Sequence, residues 1–423
     1  MLDLRAIRDD PGPFRRGLAR RGAAELLDRL LERDAVHREL TVRVEELRAR
    51  RNRASKEIGR AGAEERERLI RDVKEVSTQL DRLEPELEAA RAEVERLLAE
   101  LPNLPHESVP DGETEEDNVE LKRVGEPPSF GFAPLDHVAL GERLGVLDIG
   151  RAAKVSGSRF VYLLGPAVLV QFALVRYALD RLVEEGFTPV VPPVLVREPA
   201  LFGTGFLPEG REQIYEVPED ELFLVGTSEV PLAAFHADEI LDPDALPLRY
   251  AGYSTCFRRE AGTYGRDTRG MFRVHQFDKV EMFVFARPED SWEEHERLVA
   301  IEEELVGGLE LPYRLVNVCV GELGAPAAKK VDVEVWLPGQ GRYRELTSCS
   351  NTTDFQARRL GIRTRADGGN VPVHTLNGTA VAIGRTLIAL LENHQRADGS
   401  VPMPSALHPY LPEQSRTLVP AGS

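Results

Sequence analysis

Apolar positions in the first hundred residues recur in a 4-3 rhythm. Leu26, Leu30, Leu40, Val44, Leu47, Ala54 and Ile58 share one register, with Arg33, His37 and Arg51 as polar interruptions. After Gly59 to Gly62 the rhythm resumes through Leu69, Val73, Val76, Leu80, Leu83, Leu87, Ala90, Val94, Leu97 and Leu101. Two heptad runs around a short glycine-containing turn predict an antiparallel coiled-coil hairpin over about 26–101, roughly 50 Å long. Pro85 lies off the seam and predicts a local bend. Residues 1–25 read as a short preface turning at Pro11-Gly12-Pro13. A dimerisation coil carries the same pattern, but a hairpin satisfies its own seam and leaves its tip free.

The rhythm then changes. Prolines and acidic residues over 104–129 predict an exposed linker. Residues 130–423 mix strand and helix patterns, with a disordered tail from about 413. Ala152 to Leu163 reads as turn, then strand; Ala167 to Glu185 reads as an amphipathic helix ended by Gly186. In FTPVVPPVLV the prolines forbid helix and central strand, so an edge or interface segment is expected. Val280, Met282 and Val284 alternate with Lys279, Glu281 and Phe283, the period of a half-buried strand. Strand-like runs over 250–259 and 274–285 flank a basic loop containing Gly262, Gly265, Arg266, Arg269 and Gly270. Paired as an antiparallel hairpin, they put Arg258 and Glu260 on one face, and likewise Phe277, Lys279 and Glu281. Such a platform can hold a phosphate, a flat base and an ammonium group; a solvated surface hairpin fits the pattern too.

Composition narrows the class. The 423 residues are 42% hydrophobic and 30% charged, with no apolar run long enough to span a membrane, and the opening MLDLRAIRDDPGPF lacks the apolar core of a secretory signal, so none is expected. Cys256, Cys319 and Cys349 show neither disulfide nor zinc spacing, so a reducing cytoplasmic compartment is expected. The net charge of −17 argues against DNA or nonspecific nucleic-acid binding. Locally the sign reverses: Arg43, Arg48, Arg50, Arg51, Arg53, Lys56 and Arg60 outnumber Glu45, Glu46 and Glu57. A basic patch at the tip of a hairpin can steer a polyanion to one place. No P-loop or strand-linked G-x-G-x-x-G occurs, and no histidine pair has metal spacing.

Three further segments bear candidate chemistry. Thr227-Ser228-Glu229 follows a short strand; a hydroxyl and a carboxylate there can hold an ammonium group or simply cap the next helix. Glu345 and Ser348 offer two oxygen ligands suited to Mg²⁺, or a polar strand end. Ile383, Leu387, Leu390 and Leu391 mark a helix face, with Arg385 near its start. The helix dipole disfavours a cation there unless an anion, a phosphate or a carboxylate, lies beside it.

FRREAG followed by GRDTRGMFRVHQFDKVE resembles motif 2 of the class II aminoacyl-tRNA synthetases in the form of the seryl-tRNA synthetases. FTPVVPPVLV resembles motif 1, which builds a dimer interface, and the segment around Arg385 resembles motif 3. TSE matches the Thr-x-Glu loop that binds the serine amino group. The resemblance covers essentially the whole chain and implies an α+β fold, a mixed, mainly antiparallel sheet with flanking helices. It implies a tRNA-binding domain over 1–103 and a catalytic domain over 130–423.

The activity it implies is ATP-dependent charging of tRNA(Ser), and of tRNA(Sec), with L-serine by a cytoplasmic homodimer. Arg258, Arg385 and Glu345 would be catalytic. ATP would lie against Arg258, Arg259, Glu260, Val274, Phe277, Glu345, Leu346, Thr347, Ser348 and Arg385. Serine would contact Thr227, Ser228, Glu229, Arg258, Glu281 and Thr379, where many family members have serine in place of Thr379. Mg²⁺ would sit on Glu345 and Ser348. The arm would grip tRNA through Arg43, Arg50, Arg51, Arg53, Lys56 and Arg60. Two rivals are a class II-like amino acid:carrier-protein ligase, against which the intact arm argues, and a non-catalytic coiled-coil adaptor, against which Arg258, Glu345 and Arg385 argue.

Overall fold

The computed structural model describes residues 1–262, 267 and 269–422. Gly265 and Arg266 of the expected basic loop lie outside the described residues. The chain divides into two compact units, Met1–Pro102 and Asn103–Ser423.

The first unit is helical. Helices α1 (Ala24–Ile58) and α2 (Ala63–Glu100) form the expected hairpin. Val44, Leu47, Val76, Leu80 and Leu83 form its buried seam, with Leu40 and Leu87 packed alongside. α2 runs unbroken through Pro85. The preface differs from expectation: Leu4–Asp9 is a helix, and Pro11 opens a second, Pro11–Arg20. The Asp10 carboxylate accepts from the Gly12 N–H, and proline at a first helical position forfeits no hydrogen bond, so the apparent turn is a helix start. The polar seam residue is Asp34, fully buried, not Arg33. Arg8 meets it with Nε at 2.8 Å, and Arg38 lies 3.1 Å away. Two cations from two helices compensate the buried carboxylate.

The second unit is built on an eight-stranded sheet. In chain order its strands are β1 (Val119–Val124), β2 (Thr188–Val190), β3 (Leu248–Phe257), β4 (Gln276–Ala286), β5 (Tyr313–Asn317), β6 (Lys329–Leu337), β7 (Arg342–Asn351) and β8 (His374–Ala382). Their spatial order is β1-β5-β6-β7-β8-β4-β3-β2. Every neighbouring pair is antiparallel except β3 with β2. β2, from the proline-rich segment, is an edge as expected.

Four helices matter below: α3 (His137–Leu144), α4 (Pro166–Glu184), α5 (Ser291–Gly308) and α6 (Ile383–His394). α4 ends as expected, with Gly186 in the left-handed region. Leu174, Val280, Met282, Val284, Leu305, Leu387 and Leu390 share the main core. Phe283 and Phe285 point the other way, into a second core with Leu232, Leu360 and Ile362. β4 is therefore buried on both faces, not half-buried.

Three further expectations need correction. Ile149–Ser156 is a helix before the Tyr162–Leu163 strand, not a turn. The 104–129 stretch is not a free linker. Val109 is buried with Val318 and Val320, and β1 pairs along β5. The side chains of this edge strand are almost all exposed, so it reads polar although its backbone is in the sheet. The tail is ordered past 413: Thr417–Leu418 pairs with Val401–Pro402, and Leu418 sits in the main core. One apolar side chain and two paired positions hold a segment too short to show a pattern.

Candidate active site

β3 and β4 pair in register from Leu248 with Phe285 to Phe257 with Gln276. β3 ends at Phe257, so Arg258 and Glu260 are not on one strand face. Glu260 has φ +50°, and the chain turns out of the sheet there. The turn still delivers both residues to one cleft, with Thr227, Glu229, Val274, Phe277, Lys279, Glu281, Glu345, Leu346, Ser348, Thr379 and Arg385.

Gly252 lies opposite Glu281 and explains how Thr227-Ser228-Glu229 reaches the cleft. A Cβ at Gly252 would stand 2.7 Å from Leu232 and 3.0 Å from Ser228 Oγ. Glycine thus lets this segment lie on the sheet, and the Ser228 hydroxyl donates to the Gly252 carbonyl at 3.2 Å. Thr227 Oγ1 accepts the Glu229 N–H at 3.2 Å. Ser228 is the N-cap of the short helix Glu229–Ala233, but no side chain caps it, so the capping alternative is not what shapes Thr227-Ser228-Glu229. Glu229 is buried and accepts from Gln356 Nε2 at 2.8 Å and Asn377 Nδ2 at 3.1 Å. Burial, then the charge of Glu281, pushes the Glu229 carboxyl up to about 7. Burial raises Glu281 as well, against Lys279, whose ammonium touches it. Thr379 Oγ1 lies 3.5 Å from the same carboxylate. This end is a buried acidic pocket with a hydroxyl on each side, complementary to a small ammonium-bearing molecule.

The other end is aromatic and basic. Arg258 donates from Nε to the Gly226 carbonyl at 3.1 Å, and its guanidinium stands 5.3 Å from the Phe277 ring centre. Arg385 donates to the Glu345 carbonyl at 3.0 Å and lies 3.5 Å from its carboxylate. Burial opposes the Glu345 charge, but Lys330, then Arg385 and Arg258, hold this carboxyl well below the usual range. An ionised carboxylate beside the Ser348 hydroxyl is a hard oxygen donor set, and it fits Mg²⁺. The Phe272 ring centre lies 3.9 Å from the Arg344 guanidinium and 4.6 Å from that of Arg385. Glu260 accepts from Arg273 Nη1 at 2.7 Å.

Three expected site side chains turn away. Arg259 lies over Tyr215, 5.6 Å from its ring centre. Ser228 is fully buried on Gly252. Thr347 faces α5, where its hydroxyl donates to Glu302 at 2.9 Å. Alternation along β7 explains Thr347, since Ser348 takes the cleft face. Lys279 shares the expected platform face but was given no role there, and Asn377, Gln356 and Phe272 were not singled out as site residues. Lys279, two residues from Glu281, and Asn377, two residues from Thr379, were legible by strand spacing, and Phe272 lies within the motif 2 stretch; Gln356 comes from a segment with no such signal.

On the first unit Arg43, Arg50, Arg53, Lys56 and Arg60 are exposed and Arg51 is partly so. Arg50 pairs with Asp72 and Arg48 with Glu84, the latter at 2.8 Å.

Residues 1–105 match the family model "Seryl-tRNA synthetase N-terminal domain", and residues 214–394 match "tRNA synthetase class II core domain (G, H, P, S and T)". The serine–tRNA ligase of Thermobifida fusca is 51% identical over 413 residues, 97% of each chain. That of Streptomyces coelicolor is 50% identical over 415 residues, again 97% of each. The crystal structure of seryl-tRNA synthetase from Pyrococcus horikoshii complexed with ATP superposes with a TM-score of 0.92 at 44% identity, covering 99% of this chain and 100% of that one. With its helical hairpin and mainly antiparallel class II sheet, the chain belongs to the seryl-tRNA synthetases, the serine–tRNA ligases of class II.

Proposed function

We propose that this chain activates L-serine with ATP to seryl-adenylate and then transfers the seryl group to the terminal adenosine of tRNA(Ser). The observation that carries the reading is the position of Arg258: it lines one cleft with Glu229 and Glu281 at the acidic end and Glu345 and Arg385 at the basic end, held by the Gly226 carbonyl and over the Phe277 ring. The serine carboxylate attacks the α-phosphorus, one P–O bond forms, and the bond to the departing diphosphate breaks. AMP leaves when the tRNA hydroxyl takes the seryl group.

Arg258 offsets the charge growing on the α-phosphate, and Arg385 that on the diphosphate. Glu345 and Ser348 would hold Mg²⁺, which supplies further positive charge to the phosphates. Phe277 stacks on adenine, with Val274 and Leu346 as walls and Glu260 accepting from the amino group. Thr227, Glu229, Glu281 and Thr379 hold serine. A site built around a hydroxyl rejects alanine because its polar groups would go unpaired. Arg259, Ser228 and Thr347 contribute through backbone and packing. Positioning and electrostatics carry the rate.

Arg43, Arg50, Arg51, Arg53, Lys56 and Arg60 receive the tRNA backbone. The match of residues 1–105 to a seryl-tRNA synthetase domain favours tRNA over a carrier protein as acceptor. tRNA(Sec) is a second acceptor, reached by the same arm. A second copy covers Phe172, Val183 and Val191, which are more than half exposed on α4 and beside β2. Among the described residues no helix is long and apolar enough to cross a membrane. With three free buried cysteines, the reading is a cytoplasmic homodimer.

Aminoacylation of total tRNA with each amino acid in turn tests the reading. Serine alone should charge, with AMP and diphosphate as products. Charging with another amino acid, or of a carrier protein in place of tRNA, overturns it.

A further inference from the structure

We propose that His137 is a positioning residue of the ATP cleft: it anchors the point where the loop between β3 and β4 re-enters the fold, and so sets Met271 and Phe272 against Arg385. The inference rests on the reading that ATP phosphates lie at Arg385.

His137 opens α3 and is 5% exposed. Its Nδ1 lies 2.9 Å from Glu392 Oε1, and its Nε2 lies 3.2 Å from the Met271 backbone nitrogen. A carboxylate only accepts and a backbone N–H only donates. Nδ1 therefore donates to Glu392 and Nε2 turns its lone pair to Met271. Glu392 also accepts the His137 N–H at 3.0 Å and, through Oε2, the Gly339 N–H at 2.8 Å.

These contacts close a circuit. Glu392 and Arg385 are seven residues apart on α6, two turns along one face. Arg385 meets the Phe272 ring, Phe272 follows Met271, and Met271 returns through His137 to Glu392. Met271 and Phe272 both line the cleft. The loop end is thus tied to both ends of the helix that carries Arg385.

Gly270 gives an independent sign that the seat is built. Its φ is +86°, where glycine alone is unstrained, and a Cβ there would overlap the His137 ring at Nε2. Any side chain at 270 would push the ring away from the Met271 N–H.

The test measures ATP–diphosphate exchange against ATP and against serine, with thermal unfolding, on the full chain. In His137→Gln the amide oxygen reaches the position of Nε2, and KM for ATP should stay within about twofold of wild type. His137→Asn keeps a donor for Glu392 but falls short of Met271, and should raise KM for ATP about fivefold while leaving that for serine unchanged. Gly270→Ala should act in the same direction, and by less in a His137→Ala background than in the wild type. If His137→Ala does not fold, the Asn and Gln variants carry the test alone. Wild-type KM for ATP in His137→Asn, an equal rise for serine, or additive effects of Gly270→Ala and His137→Ala overturn the inference. Arg385→Ala separates it from its premise: normal ATP use there removes the ATP placement itself. An inactive Arg385→Ala beside an unaffected His137→Asn refutes the anchor alone.

Discussion

Lys279 and Glu281 stand two residues apart on β4 with ammonium against carboxylate, and 8% and 3% of their side chains are exposed. The pair lies in the floor of the cleft, where burial favours the neutral form of Glu281. Lys279→Met should leave Glu281 buried without its nearest counter-charge. The expected cost is about 3 kcal/mol in urea unfolding, with a raised KM for serine. Lys279→Met combined with Glu281→Gln should recover most of the stability but not the serine binding. A double variant no more stable than the single one would show that the two charges do not compensate each other.

Arg258→Ala should lower serine-dependent diphosphate exchange about a hundred- to a thousandfold, the usual effect of losing one preorganised charge at a reacting centre. The Arg258 side chain bonds to the Gly226 carbonyl and stands over Phe277, while its backbone pairs with His275 and would survive the substitution, so the melting temperature should change little. Exchange within about threefold of wild type would remove Arg258 from the chemistry.

Glu229 should make serine binding pH-dependent. Its carboxyl is raised to about 7 in the folded chain, above the ordinary value near 4.5. A raised acid binds its proton more tightly in the folded state. Its contribution to stability is full below about 4.5, falls as pH rises and is lost through about 7. An incoming ammonium favours the ionised form, so serine binding should release a proton between these limits. Calorimetry in buffers of different ionisation enthalpy reads that proton directly. Glu229→Gln should abolish the release; a buffer-independent heat in the wild type would contradict the assignment.

Shortening the arm should separate the two half-reactions. The base of the hairpin is tied to the preceding helices by Arg8–Asp34 and Arg15–Asp28. Replacing residues 41–86 with a Gly-Ser turn spares those contacts and removes paired seam positions from Val44 to Leu83 together. Adenylation should persist, because every residue assigned to ATP or serine lies in the second unit. Charging of tRNA should nearly vanish with Arg43–Arg60, and in the intact protein it should fall with added salt far more than exchange does. Efficient charging by the shortened protein would sink the assignment of the arm.

The arm was legible because its burial repeats locally: a heptad seam writes the same contact every three or four residues, and Val76, Leu80, Leu83, Val94 and Leu97 sit where the rhythm put them. The β3–β4 hairpin and the Arg258, Phe277, Glu281, Glu345 and Arg385 set were legible for another reason. Each lies in a segment whose chemistry is read from a few adjacent residues and a family resemblance. Tertiary structure decided what depends on meetings between distant segments. β4 is covered on both faces because α4, α6 and a second core close over it. β1 is a strand only because β5 offers its edge, and the tail is ordered only because Val401 pairs with Leu418. Asp34 is tolerated in the seam because Arg8 reaches it from another helix. Glu229 owes its partners to Gln356 and Asn377, and Met271 owes its anchor to His137, each more than a hundred residues away. A periodic pattern records burial against neighbours in sequence; a single buried polar contact has no period, and only the folded chain brings its two halves together.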